Sequence, residues 1–301
     1  MSTLLKDLYS PEFFGHLATV LHKTVPGFKK KQFLALVFDE HWEARELKAR
    51  MRHSSTVLHR FMPQDFTSAA ALIENIASAI PASPIASASL ECMFLPDYIE
   101  QYGLANFDES VRVMEQTTSL SSCEFAIRPF ILQYGPRMMT QMKLWSLHRN
   151  HHLRRLASEG CRPRLPWAIA LPPFKKDPAP ILPILENLKS DPSEYVRRSV
   201  ANNLNDIAKD NPQIVLEIAR KWKGNGKDTD AIIKHGCRNL LKQAHPEILD
   251  YYGLNSGHLT LKHLQLHTPK VNTGKDLSFS FALSSDSGKN ETVRLEYAVH
   301  F

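Results

Sequence analysis

Two pairs of adjacent arginines, Arg154-Arg155 and Arg197-Arg198, recur 43 residues apart, each directly behind an apolar residue, Leu153 or Val196. A guanidinium keeps its charge at any physiological pH, and its planar fork matches the oxygens of a phosphate. Repeated at one period, such pairs form a ladder able to hold a polyanion, nucleic acid above all. Arg162, Arg164 and Arg238 extend the same stretch. Between Lys143 and Lys242 there are 19 Lys or Arg against 10 Asp or Glu, whereas the rest of the chain carries 18 against 21. The net charge of +6 is therefore concentrated where the pairs lie. A solvated helical face is the competing reading of such a run.

The elements that must position these groups are helices. From Leu4 to about Leu254, apolar residues recur at three- and four-residue steps between short Pro, Gly or Ser breaks. Ser10-Pro11-Glu12 is a cap followed by proline at the first helical position, opening a helix with Phe13, Phe14, Leu17 and Leu21 on one side. Further helices are expected over 30–40, 44–61, 65–80, 91–102, 107–120, 122–134, 136–147, 149–159, 179–189, 193–209, 212–222, 228–243 and 246–251. A repeat in the low forties is the period of HEAT and armadillo-like units, which stack so that equivalent positions line one concave surface. The expected fold is thus mainly all-α, a HEAT-like helical-repeat solenoid over residues 1–256.

After Ser256-Gly257 the pattern changes to alternation, in Leu259, Leu261 and Leu264, in Leu277 to Phe281, and in Val293 to Tyr297. Residues 257–301 are expected to form a β-strand segment, too short for the seven or so strands of an immunoglobulin-like sandwich. Phe301 follows directly on a strand pattern, which suggests a longer natural protein; a complete small β-appendage is the alternative.

Composition narrows the function. With 43% hydrophobic and 23% charged residues in 301, the chain has the makings of an ordinary globular core. No run reaches 18 apolar residues, and the start lacks a basic region followed by an apolar stretch, so an intracellular protein without a membrane partner is expected. Cys92, Cys123, Cys161 and Cys237 stand far apart without metal-ligand spacing and are expected to be reduced and mostly buried. No His-Glu-x-x-His, Gly-rich phosphate loop or Gly-x-Ser-x-Gly elbow is present, which disfavours metal catalysis, nucleotide hydrolysis and serine-hydrolase chemistry.

Three single residues carry two readings each. Glu124 lies three positions after Ser121, the spacing of a capping box, so a structural role is available to it. Trp167 ends Arg162-Pro163-Arg164-Leu165-Pro166-Trp167, where two prolines force an extended loop; its ring is either an inter-repeat plug or an aromatic surface for sugar or base. On the helix expected over 193–209, Val196, Val200, Leu204 and Ile207 form the inward stripe, and Arg198, Asn202, Asn205, Asp206 and Lys209 share the opposite side. Asp206 is the acid on that polar side, either a salt-bridge partner of Lys209 or a carboxylate offered to a ligand.

The run from His152 to Trp167, HLRRLASEGCRPRLPW, closely resembles the alkylpurine DNA glycosylases of the AlkC and AlkD type, and Ser199 to Asp210 and His235 to Lys242 strengthen the likeness. The strand-rich tail looks like the start of the immunoglobulin-like domain of some AlkC proteins, so AlkC is the nearer relative. The resemblance implies a solenoid that cradles damaged double-stranded DNA and excises cationic alkylated bases such as 3-methyladenine in base excision repair, without base flipping. It implies Glu124, Trp167 and Asp206 as catalytic residues around the lesion sugar, and their separations of 43 and 39 residues are compatible with neighbouring places on a repeat surface. It makes Arg154, Arg155, Arg162, Arg164, Arg197, Arg198 and Arg238 the candidate DNA-binding residues. No metal, no cofactor and no obligate protein partner is implied, and the protein is expected in the cytoplasm, nucleoid-associated when on DNA. A non-catalytic HEAT scaffold for nucleic acid, or a protein-interaction solenoid with a cationic groove, remains the alternative, since solenoids host all three roles.

Overall fold

The computed structural model describes residues 4–254, 257–288, 293, 295 and 297. Ser10 accepts from the Phe13 amide at 3.1 Å and Pro11 takes the first helical position, so α1 (Pro11–Thr24) starts as its sequence dictates. It is followed by α2 (Lys30–Val37), α3 (Leu47–His59), α4 (Phe66–Ala79), α5 (Phe94–Tyr102) and α6 (Phe107–Thr117). Then come α7 (Ile127–Tyr134), α8 (Pro136–Trp145), α9 (His151–Gly160), α10 (Pro172–Lys176), α11 (Leu182–Leu188), α12 (Glu194–Ile207), α13 (Pro212–Trp222) and α14 (Lys227–Gly236). After these lie α15 (Arg238–Lys242), α16 (Pro246–Tyr251), β1 (Leu259–Leu266) and β2 (Phe279–Ser285). No helix among the described residues is long and apolar enough to cross a membrane.

The chain forms two compact units, Met1–Cys237 and Arg238–Phe301. In the first, helices pack as successive pairs, and α12 lies among α9, α11, α13 and α14. Its neighbour α9 runs alongside in register: Ser158 meets Ser199 hydroxyl to hydroxyl at 3.0 Å, and Asn203 Nδ2 donates to the Ser158 carbonyl at 2.8 Å. The apolar stripe Val196, Val200, Leu204 and Ile207 is buried throughout, as its spacing requires. Gly160 ends α9 where a Cβ would meet Ile127 Cγ2 at 2.6 Å, so the absent side chain lets α7 close on α9. All four cysteines are buried and free.

Three stretches depart from the expected helices. The helix expected from 122 begins only at Ile127, because residues 123–126 turn before it. The helix expected over 228–243 is broken after Gly236, where a Cβ would stand only 2.9 Å from Leu204 Cβ of α12. The short α10 arises where none was expected: Pro172 and Pro173 occupy first-turn positions, which need no backbone donor.

In the second unit β1 and β2 pair antiparallel, from Leu259 opposite Ser285 to Leu266 opposite Phe279, with a register irregularity between Lys262 and Gln265. His263 sits inside that irregularity at φ 54°, the local kink of a bulge. The third strand expected over 293–297 falls partly outside the described residues.

Candidate active site and nucleic-acid interface

Along α9 and the second residue past its end, Arg155, Glu159 and Arg162 follow at four- and three-residue steps, so they form one stripe. That stripe carries a chain of alternating charge. Arg155 Nη1 reaches Glu124 Oε2 at 2.5 Å and Arg155 Nη2 lies 3.8 Å from Glu159 Oε1. Glu159 Oε1 in turn accepts from Arg162 Nη1 at 2.6 Å, and Arg162 Nε donates to Asp206 Oδ2 at 2.8 Å. Lys209 closes the chain against Asp206 Oδ1 at 3.2 Å. Three carboxylates thus alternate with two guanidinium groups and one ammonium, which is the condition under which ions can leave water for a protein interior.

Glu124 and Asp206 are the outermost carboxylates of this network. Glu124 does not cap a helix: Ser122 Oγ donates to its Oε2 at 2.7 Å, Arg155 takes the same oxygen, and α7 begins without a side-chain cap. The capping-box reading is therefore corrected, since a half-buried guanidinium attracts the carboxylate more strongly than a neutral amide. Asp206 is only 2% exposed, and Asn205 is buried as well. The polar side of α12 is thus not a solvated face; Arg198 and Lys209 are exposed at its ends, while α9 covers Asp206 between them.

Trp167 occupies an extended loop with its side chain 55% exposed and its backbone at φ 65°, a region that L-residues enter at a cost of about 1 kcal/mol or more. Two cations hold the loop in place. Arg128, fully buried on α7, donates from Nη1 to the carbonyls of Gly160 at 3.0 Å and Arg162 at 2.8 Å, and from Nε to that of Ile169 at 2.5 Å. Lys48 of α3 donates to the Trp167 carbonyl at 2.6 Å. Burial pulls the Arg128 guanidinium down to about 10, below the ordinary arginine range. Neither Arg128 nor Lys48 was marked by sequence. An arginine inside the apolar run Ile127-Arg128-Pro129-Phe130 is a signal that could have found the first; no local signal points to the second.

The arginine pairs divide by position. Arg154 forks onto Asp191, Nε to Oδ2 at 2.6 Å and Nη2 to Oδ1 at 3.0 Å, and donates to the His148 and Arg149 carbonyls at 2.9 Å each. Arg197 repeats this one unit later, donating to the Asp191 and Pro192 carbonyls at 2.8 and 3.0 Å and pairing with Asp228 at 3.3 Å. The first member of each pair therefore staples one repeat to the next. Arg155 also lies under the ring of Tyr195, 4.5 Å from its centroid, and that ring is 44% exposed. Arg164 forks onto Asp210 at 3.0 and 2.6 Å and remains partly exposed; its hydrogen bond to Asp210 raises its own pKa and lowers that of the aspartate. Arg198 is well exposed, paired within its helix to Glu194 at 2.9 Å. Arg238 opens α15 in the second unit.

Residues 181–210, spanning α11 and α12, match the HEAT repeat family. The chain is 41% identical over 298 residues to the uncharacterized protein YhaZ of Bacillus subtilis (strain 168), covering 99% of this chain and 81% of that one. Its fold superposes with a TM-score of 0.81 and 34% identity on Pseudomonas fluorescens alkylpurine DNA glycosylase AlkC bound to DNA containing an abasic site analog, over 96% of this chain and 78% of that one. An identity of that size, sustained over nearly all the stacked helices that position Glu124, Trp167 and Asp206, places this chain in the AlkC family of DNA glycosylases.

Proposed function

We propose that the protein binds damaged duplex DNA and hydrolyses the N-glycosidic bond of cationic alkylated bases, 3-methyladenine above all, without drawing the base into a deep pocket. A 3-methylated adenine already carries positive charge, so it departs as a neutral base and needs no proton from the enzyme. The sugar left behind is electron-poor and resembles an oxocarbenium ion. A carboxylate stabilises it electrostatically and an aromatic face does so by cation–π attraction. Asp206 and Glu124 take the first role, with Asp206 orienting the water that attacks the sugar carbon, and Trp167 takes the second.

The observation that carries this reading is the chain of alternating charge that joins half-buried Glu124 to buried Asp206, beside a loop that presents an exposed tryptophan. Asp206 Oδ1 faces Lys209, whose side chain is 40% exposed, and the lesion sugar replaces that ammonium as the cation beside the carboxylate. The exposed ring of Trp167 suits a base that stays near the duplex. Exposed Arg164 and Arg198 reach backbone phosphates, and Arg154, Arg155, Arg162 and Arg197 shape the surface around them; Arg238, in the second unit, is a further candidate phosphate contact. Residues 1–256 are assigned to DNA binding and catalysis, and residues 257–301 to a segment of immunoglobulin-like type.

Incubation with methylated duplex DNA, followed by chromatography of the released bases, tests the reaction and the substrate together. Free 3-methyladenine is the expected product; intact methylated DNA after prolonged incubation at excess enzyme rejects the reading.

A further inference from the structure

A lone exposed lysine, 119 residues away in the chain, reaches the backbone of the loop that presents Trp167. Lys48 Nζ donates to the Trp167 carbonyl at 2.6 Å and lies 5.8 Å from the centroid of the Phe125 ring, next to Glu124. One ammonium group therefore touches both segments that carry aromatic and acidic site residues. The carbonyl it grips belongs to a residue at φ 65°, a conformation that persists only where surrounding contacts impose it. Arg128 fixes the loop at Gly160 and Arg162 on one side of Trp167 and at Ile169 on the other. At Trp167 itself, the ammonium of Lys48 supplies the hold.

We propose that Lys48 is a positioning residue for the excision reaction: it locks the Trp167 backbone so that the indole stands at a set distance from Glu124 and the lesion sugar. This inference rests on the glycosylase reading above. The physical basis is orientation, since displacing a group by about 1 Å can cost up to ~100-fold in rate while leaving binding intact. Lys48 is itself exposed on α3, so removing its charge leaves the core packing of that helix in place.

Lys48→Met keeps the aliphatic stem and removes the donor, whereas Lys48→Arg keeps a donor of the same charge. The chain has four tryptophans, and Trp42, Trp145 and Trp222 are at most 4% exposed, so acrylamide quenches mainly Trp167. Time-resolved anisotropy of that quenchable component reads the freedom of the loop without any reaction. In Lys48→Met the quenchable component is expected to depolarise faster, and single-turnover excision of 3-methyladenine to fall about tenfold. Duplex affinity and melting temperature are expected to stay at the parent's values, and Lys48→Arg to recover at least half the lost rate.

Unchanged anisotropy in Lys48→Met overturns the proposal. So does a loss confined to duplex affinity, which makes Lys48 a phosphate contact, or a loss of rate that follows a lowered melting temperature, which makes it a fold contact. If the parent protein releases no base at all, the glycosylase reading fails, while the anisotropy comparison still decides whether Lys48 restrains the loop.

Discussion

Arg162 and Asp206, 44 residues apart, meet as a buried ion pair with Nε 2.8 Å from Oδ2. The resemblance to alkylpurine DNA glycosylases assigned the arginine to DNA phosphates and the aspartate to the lesion sugar, yet in the folded protein each is the other's partner. The pair is held from behind by Glu159 and from the exposed side by Lys209. The acid assigned to the reaction is therefore placed by a guanidinium that cannot lose its proton, and its position is set by helix packing.

Changing Asp206→Asn removes the charge beside the sugar and leaves Arg162 with Glu159 as its remaining carboxylate. Single-turnover excision of 3-methyladenine is expected to fall by about 100-fold or more. Duplex affinity should change little, and urea unfolding should show a loss of roughly 1–3 kcal/mol from the uncompensated guanidinium. Excision at the parental rate would refute the role of Asp206 as an electrostatic stabiliser.

Glu159→Gln strikes the middle of the charge chain, where one carboxylate serves both Arg155 and Arg162. Its cost in stability should exceed that of Glu124→Gln, which stands at an end with greater exposure. Expected losses are about 3–5 kcal/mol against about 1–2 kcal/mol, measured by chemical denaturation. Equal losses would show that the six charges do not act as a connected network.

The two kinds of arginine should separate in one experiment. Arg154→Ala removes a fork onto Asp191 and two carbonyl contacts, and is expected to cost about 2–4 kcal/mol of folding stability. Arg198→Ala removes an exposed charge held by an exposed Glu194, so its stability should stay within about 0.5 kcal/mol of the parent's. If Arg198 meets a phosphate, the same change lowers affinity for all duplexes and reduces the salt slope by about one. An unaltered salt slope removes Arg198 from the DNA interface.

Acid should loosen the α11–α13 contact as the Glu186 carboxylate takes up a proton. Burial opposes ionisation of Glu186, but hydrogen bonds from Lys189, Trp222 and Lys221 outweigh it and bring its carboxyl from 4.5 down to about 2. A depressed folded pKa means the stabilisation is fully present above the unfolded value and is lost as pH falls from about 4.5 towards 2. Glu186→Gln should therefore flatten the acid limb of the melting-temperature profile in that window and leave its slope near neutrality unchanged. Parallel profiles for the two proteins across the window would contradict this.

Much of the helical scaffold was legible because it rests on local rules. The Ser10 cap, the Pro-initiated α13 and α16, and the apolar stripe of α12 follow from short-range spacing, and each forms where that spacing places it. Spacing failed where a distant group competed. Glu124 has the offset of a capping residue, yet it turns to Arg155, 31 positions away, because a charged partner outbids a neutral amide. The helix expected past Gly236 stops there, at the glycine where a Cβ would run into Leu204 of α12, a contact made by a residue 32 positions away.

What the amino-acid order determined by itself was the helical period, the basic stretch and the kinds of side chain available for glycosidic chemistry. What only the tertiary structure decided was which charges face one another. Arg154 and Arg197 became staples between repeats, Arg155 and Arg162 became links in a buried network, and Lys48 came to hold the Trp167 loop. Helical periodicity needs only near neighbours, whereas the partner of a buried charge is set by whichever opposite charge the packed helices bring within hydrogen-bond reach.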